Sequence, residues 1–386
     1  MTRLLALFLL ACHPRVPLAD ACSPTQGLVA PVSACSADDP CTNLLGTYAL
    51  AGISELTTPS DPERCHTRFA TPQMLMGCVR GGRGSYNDDD PSRTWSDPDG
   101  TQRTWCEARP TSSTPRPLLI YVPGSGGGAG DVYDYTLLRA KSQSYDLGDG
   151  TGFVLVSSQP RNLHWPTEDP EDGTKHDSYH RDLATNRDVA FFDYLIDSLV
   201  AEGVVDPHRI YLTGWSNGAR FATFYGMARH EAATAGGNRV AAVAVYSGGD
   251  PYENITATQT PSCKADPYPA STLPFFDITR NCDLIACDQA QYDALLGGGA
   301  KMTPGSQATA WIADLQAKSH DTQAGWMRIG YAGTVTTSCL PFGGSATSCT
   351  YEMAKRNHFC WPDGVADGGG IDHEIDLLDF LKAHPL

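Results

Sequence analysis

The pattern of apolar and polar positions changes once along the chain. Up to about residue 95, Cys, Pro, Asp and Gly dominate with little periodicity, and Asn43 to Ser54 is the best local candidate for a short element. From about residue 100, short apolar runs alternate with stretches of helical period. Arg103 to Arg109, Leu118 to Val122, Phe153 to Ser157, Ile210 to Thr213, Val240 to Tyr246, Leu273 to Thr279 and Trp326 to Ala332 read as strands. Tyr133 to Lys141, Asp182 to Glu202, Ala219 to Ala228 and Ile371 to Ala383 read as helices. In the longest of these, Val189, Phe192, Leu195, Ile196 and Leu199 share one face. Asp206-Pro207 breaks the chain before the Ile210 strand, because proline lacks an N–H for a ladder.

Strands alternating with helices over most of the chain predict an α/β fold, with a mostly parallel sheet covered on both faces. Such sheets place their chemistry at the carboxyl ends of the strands. The loops after Val122, Ser157, Thr213, Tyr246 and Thr279 should therefore meet at one edge. The expected division is a leader over 1–21, a Cys-rich extension over 22–99 and an α/β domain over 100–386. No internal repeat is evident.

The strand-to-helix junction at Gly214-Trp-Ser-Asn-Gly218 is the most informative of these loops. Gly-x-Ser-x-Gly between a strand and a helix is a nucleophile elbow: the glycines let strand and helix approach, and the serine side chain stands exposed. A serine hydroxyl is a weak nucleophile at neutral pH. Ser216 therefore needs a base, the base needs an orienting carboxylate, and a developing oxyanion needs donors. The expected chain order is Ser, acid, His.

Five histidines follow Ser216: His230, His320, His358, His373 and His384. His358 lies in Lys355-Arg-Asn-His-Phe-Cys-Trp-Pro-Asp-Gly364, between the last strand and the last helix, where the base belongs. Asp283 lies just past the strand ending near Thr279, with Asp288 the alternative further along, while Asp277 falls inside the strand. The oxyanion donors expected are the N–H groups of Asn217 and of Ser125, with Gly126 next, in the loop Pro123-Gly-Ser-Gly-Gly-Gly128. Trp165, in His164-Trp165-Pro166, and Trp215 are the aromatic candidates for substrate contact. A phosphate-binding reading of the glycine loop fails, because the Lys-Ser/Thr of a P-loop is absent. No cofactor or metal is required. Asn87-Asp-Asp-Asp90 and Asp97-Pro-Asp-Gly100 lack the alternation of a calcium loop.

Composition narrows the setting. A formal charge of −16 argues against a nucleic-acid partner, since nothing would neutralise phosphates. Met1-Thr-Arg3 followed by apolar Leu4 to Leu10 resembles an export signal. Two exits remain open: a lipobox ending in Cys12, which would give a lipid anchor as the one membrane contact, or cleavage after Ala21. Either takes Cys12 out of the 13 cysteines and leaves an even number. None of them lies between Cys106 and Cys263, so the central strands are free of cysteine. Disulfides in an oxidising, extracytoplasmic compartment are the natural reading.

From about 100 to 384 the chain resembles α/β-hydrolase esterases of the polyhydroxybutyrate-depolymerase and feruloyl/acetylxylan-esterase type. Four stretches carry the likeness: 118–128; Asp188-Val-Ala-Phe191 through Val205-Asp-Pro-His-Arg-Ile-Tyr211 to the elbow; Asp283; and His358 before Trp361-Pro362. Pro123-Gly124 replaces the family's usual His-Gly, and His358 and Trp361 are one residue further apart than in its His-x-Trp-Pro. The resemblance implies Ser216 as nucleophile, His358 as base and Asp283 as orienting acid. It also implies a carboxylic ester as substrate, free or in a polyester or plant-wall polysaccharide. A serine peptidase on the same fold, or a catalytically idle binding protein, are the alternatives.

Overall fold

The computed structural model describes residues 90–386 apart from 99, 101, 126, 163–173, 179–182, 185, 231–236, 249–250, 252–270, 281–282, 284–324, 330–356 and 365–369. The leader, almost all of the Cys-rich extension, Gly126, Trp165, Asp288 and His320 lie outside the described residues.

An eight-stranded sheet forms the centre, in the order β1-β2-β4-β3-β7-β8-β9-β10. Its strands are β1 (Ser92–Ser96), β2 (Gln102–Ala108), β3 (Arg116–Val122), β4 (Val154–Ser158), β7 (Val205–Gly214), β8 (Ala242–Tyr246), β9 (Phe275–Arg280) and β10 (Gly325–Ile329). β1 and β2 pair antiparallel, as do β2 and β4. All pairs from β4 to β10 are parallel. β5 (Arg161–Asn162) and β6 (Thr174–Lys175) form a separate antiparallel ribbon. The helices are α1 (Asp131–Tyr135), α2 (Leu138–Lys141), α3 (Arg187–Ala201), α4 (Asn217–Arg229) and α5 (Glu374–Lys382). This is an α/β fold, a mostly parallel sheet with helices on both faces.

The two faces follow from the alternation of side chains along each strand. Leu118, Ile120 and Val122 point one way and meet Val189, Phe192 and Leu195 of α3 and Phe221 and Tyr225 of α4. Leu119 and Tyr121 point the other way and meet Val132 of α1, Leu138 of α2 and Leu377, Leu378 and Leu381 of α5. Each of these large side chains contributes about 1.5–3 kcal/mol by leaving water. The surface pairs of Glu202 with Arg93 and Arg109 contribute about 0–1 kcal/mol each, so packing decides the architecture.

Four departures from the expected elements have local causes. β1 precedes residue 100 and still belongs to the sheet. Its residues are exposed or half-buried, so it carries little apolar signal, and it is held by Trp95 stacking on Tyr194 at 4.8 Å. The single helix expected over Tyr133 to Lys141 is two short ones. Thr136 divides them: its hydroxyl donates to Val132 O at 2.5 Å and accepts from Leu138 N at 3.2 Å, competing with the helical ladder. The long helix begins at Arg187 rather than Asp182, because the Asn186 side chain accepts from the N–H groups of Asp188 and Val189 and caps it. Before the elbow, β7 reaches back to Val205. Its ladder with β3 jumps from Arg116↔Val205 to Leu118↔Ile210, so Pro207 sits in a bulge where no ladder donor is needed.

β7 runs directly into α4, and two glycines make this possible. A Cβ on Gly214 would lie 2.7 Å from the carbonyl carbon of Gly218 and 2.9 Å from Ala219 N. One on Gly218 would overlap the carbonyl oxygens of Val122 and Pro123. β9 adds a buried carboxyl, Asp277, which accepts from Gly248 N at 3.2 Å and from the Thr279 hydroxyl at 3.1 Å. Burial pushes its pKa up to about 8; the bonds from Gly248 and Thr279 oppose this, and the nearby Asp283 adds to it.

Two outcomes are expected. Gly218→Ala should force backbone apart, lower stability by about 3 kcal/mol and lower the thermal midpoint. Gly203→Ala, at a glycine whose φ is +73° but which has open space around it, should cost less. Differential scanning calorimetry of both variants checks this, and equal losses would refute the packing argument. For Asp277, the folded form holds a proton that the unfolded chain releases near the ordinary value of 3.8. Its contribution is therefore complete below about pH 4 and is lost as the pH rises through about 8. Asp277→Asn should gain in midpoint relative to wild type between pH 5 and pH 8.5; a constant difference across that range would contradict the assignment.

Candidate active site

The parallel strands end at one edge, and four loops meet there. Ser216 is the turn between β7 and α4, Ser247 follows β8, Asp283 follows β9, and His358 lies between β10 and α5. Ser216 has φ +58° and ψ −121°, a conformation side chains rarely adopt. Such geometry costs about 1–3 kcal/mol and persists only where its surroundings enforce it. The close glycines enforce it here, with Ser216 N donating to Tyr246 O at 3.3 Å and Gly218 N to Trp215 O at 2.9 Å.

The structure brings the three residues expected from sequence into one chain of hydrogen bonds. Ser216 Oγ lies 2.9 Å from His358 Nε2, and His358 Nδ1 lies 3.0 Å from Asp283 Oδ1. His358 and Asp283 are fully buried, and Ser216 is 8% exposed. The carboxylate fixes the tautomer: Nδ1 carries the proton and donates to Asp283, which leaves Nε2 free to accept from the serine hydroxyl. This is the arrangement of a serine hydrolase. His230, His373 and His384 are engaged elsewhere, through Val240 O, Asp376 and Phe380 O.

The expected oxyanion region is laid out beside the serine. Asn217 opens the 13-residue helix α4, so its N–H has no helical carbonyl four residues back and lies at the positive end of the helix dipole. Gly124 packs against the elbow: a Cβ there would lie 3.2 Å from Trp215 O and 3.4 Å from Ser216 Cβ. Ser125 follows in a turn closed by Gly127 N donating to Gly124 O at 3.0 Å. Asp131, at the start of α1, supports this loop. It is buried beside Gly127 and Gly128, and burial pushes its pKa up to about 7, against the bond from Gly128 and with help from Asp134.

Trp215 is placed differently from the expected substrate contact. It is 5% exposed, its indole N–H donates to His358 O at 2.7 Å, and its ring meets Tyr135 and Phe359 edge-on. It braces the histidine from behind. Three further side chains hold the same loop. The Tyr246 hydroxyl donates to Asn357 O, Arg280 Nε donates to Cys360 O at 3.2 Å, and Trp361 Nε1 donates to Glu374 Oε1 at 2.5 Å. Glu374 is itself fully buried and also accepts from Leu137 N and Lys141 Nζ. Burial pushes its pKa up to about 7, opposed by Lys141. Cys360, two residues after the histidine, is disulfide-bonded, as is Cys106 in β2.

Sequence reasoning missed Ser247, whose hydroxyl touches both Asp283 and His358. The available signal was a polar side chain immediately after a buried strand that ends at the same edge. Among the described residues, no group of three or more His, Cys, Asp or Glu is arranged to hold a metal ion. Asp90 and Asp97, from the acidic turns, are paired with Arg139 and Arg103.

No family model and no curated protein matches the chain. Solved structures do. A thermostable esterase is similar over 78% of this chain and 64% of its own, at 14% identity and a TM-score of 0.43. A thermophilic and thermostable carboxylesterase cloned from a metagenomic library is similar over 77% of this chain and 89% of its own, at 16% identity and a TM-score of 0.40. The acylaminoacyl peptidase of Pyrococcus horikoshii is similar over 62% of this chain and 36% of its own, at 13% identity and a TM-score of 0.38. The chain thus spans less than two thirds of the length of the first and third of these.

Proposed function

We propose that the protein is an exported serine esterase that cleaves carboxylic esters through an acyl-enzyme. The observation that carries this reading is the unbroken path from Ser216 Oγ through His358 to Asp283, with the serine on a strained elbow at the head of α4. In the first step Ser216 Oγ attacks the carbonyl carbon while its proton moves to His358 Nε2. The oxyanion is met by the N–H of Asn217, with that of Ser125 as the second donor. His358 then gives the proton to the leaving alcohol as the C–O bond breaks. Water attacks the acyl-enzyme by the same path in reverse, and the acid is released. Asp283 stays ionised and orients the imidazolium.

An ester is favoured by the motifs the chain shares with esterases of the polyhydroxybutyrate-depolymerase and feruloyl/acetylxylan type, namely the glycine loop after β3, Gly214-Trp-Ser-Asn-Gly218, and His358 ahead of Trp361-Pro362. A polyester or an acylated plant-wall polysaccharide is the substrate class this suggests, with Trp165 as a contact for the acyl group. The disulfide-bonded Cys106 and Cys360 support an oxidising, extracytoplasmic location, reached by the basic and apolar leader, with either lipid attachment at Cys12 or cleavage after Ala21.

The test is a panel of p-nitrophenyl esters, methyl ferulate, acetylated xylan, polyhydroxybutyrate and a peptide p-nitroanilide. Wild type should turn over at least one ester and not the anilide, and Ser216→Ala should lose that activity by at least about a thousandfold. A fluorophosphonate should add to Ser216 and to no other residue, as read by peptide mass. Ester turnover by Ser216→Ala equal to wild type would refute the mechanism, and preference for the anilide would move the reading to a peptidase.

A further inference from the structure

We propose that Ser247 is a positioning residue for the reaction, a fourth member of the site that holds His358 and Asp283 in register. This rests on the reading of Ser216 as nucleophile. Ser247 Oγ lies 2.8 Å from Asp283 Oδ1 and 2.7 Å from His358 Nδ1. With the 3.0 Å contact between His358 and Asp283, the three groups form a closed triangle. The protons in it can be counted. The carboxylate brings none, the imidazole brings one on Nδ1, and the hydroxyl brings one. The consistent assignment has Ser247 donating to Asp283 while its lone pair, together with Asp283, accepts from His358 Nδ1–H.

The backbone shows that this placement is enforced. Ser247 is fully buried and has φ +53°, in the left-handed region where glycine is at ease and serine is strained. Its N–H donates to Ile278 O at 2.8 Å, and the next N–H, that of Gly248, donates to Asp277 Oδ1 at 3.2 Å. Two anchors on β9 therefore aim the hydroxyl at the acid and the base. When His358 accepts the Ser216 proton, its Nδ1–H becomes a stronger donor and finds two acceptors already in position. Ser247 does not touch the substrate; it acts through the other two residues.

Two variants test this. Ser247→Gly removes the hydroxyl and relieves the positive φ, and Ser247→Ala removes the hydroxyl alone. On a p-nitrophenyl ester both should lower kcat about ten- to hundredfold with KM within about twofold. The thermal midpoint of Ser247→Gly should not fall below that of wild type. In an Asp283→Asn background the same glycine change should cost less than about threefold, because its route of action is already broken. A kcat within twofold of wild type in both single variants, or an equal loss with and without Asp283→Asn, overturns the proposal. Ser216→Ala is measured alongside. Its inactivity with Ser247 variants at full rate removes Ser247 alone, whereas turnover surviving in Ser216→Ala removes the underlying reading and this proposal together.

Discussion

The approach of α4 to the strands behind it is the contact on which the site depends. With Gly218 lying against the carbonyls of Val122 and Pro123, and Gly214 against the first turn of α4, no side chain larger than hydrogen fits at either place. That closeness forces the turn between them into the left-handed region at Ser216. It also brings Gly124 of the neighbouring loop to the back of the serine. The placement of Ser216 and that of the glycine loop thus share one steric cause. The strain is offset by packing on both sides of the sheet, where α3 and α4 cover one face and α1, α2 and α5 the other.

The histidine has no such backbone device and is placed by hydrogen bonds from its neighbours. Trp215, Tyr246 and Arg280 donate to three carbonyls of its loop, those of His358, Asn357 and Cys360. They come from the elbow, β8 and β9, so the loop is referenced to the strands that carry Ser216, Ser247 and the approach to Asp283. A buried donor left without its acceptor costs about 1–3 kcal/mol, which makes each contact a real constraint on loop position. Glu374 extends the brace to α5 and α2 through Trp361, Leu137 and Lys141.

How much of this could be read in the sequence divides along the same line. Parallel strands buried on both faces are continuous apolar runs, and β3, β4, β8 and β9 were legible for that reason. The edge strand β1 was not, because Ser92–Ser96 alternates between exposed and half-buried positions and only Trp95 gives it an apolar anchor. Ser216, Asp283 and His358 were legible because each sits on a loop whose place in the order of strands is fixed by the fold. Trp215 was misjudged. An aromatic residue beside a nucleophile reads as a substrate contact in one dimension, and only the placing of His358 O 2.7 Å from its indole nitrogen shows that it faces inward. Ser247 was invisible for a related reason: its significance is a pair of contacts made 36 and 111 residues away.

A second cluster in the same protein shows what distinguishes a site from a set of residue types. Ser158 Oγ lies 2.9 Å from His176 Nε2, and His176 Nδ1 lies 3.5 Å from Asp188 Oδ1. Serine, histidine and aspartate are again in line. Yet all three are fully buried, Asp188 is also engaged by Arg103 and Asp177 N, and the imidazole packs against Phe192 and Phe221. Burial lowers the pKa of His176, with Asp188 opposing, so the ring is kept neutral and joins β4 to α3 as a structural strut. Ser158 ends β4 as an extended strand residue, paired with Trp105 of β2. Ser216 differs in its backbone: the elbow lifts its hydroxyl out of the sheet and sets it at the N-terminus of α4. The difference between the two clusters therefore resides in the turn from Gly214 to Gly218, against which His358 and Asp283 are held.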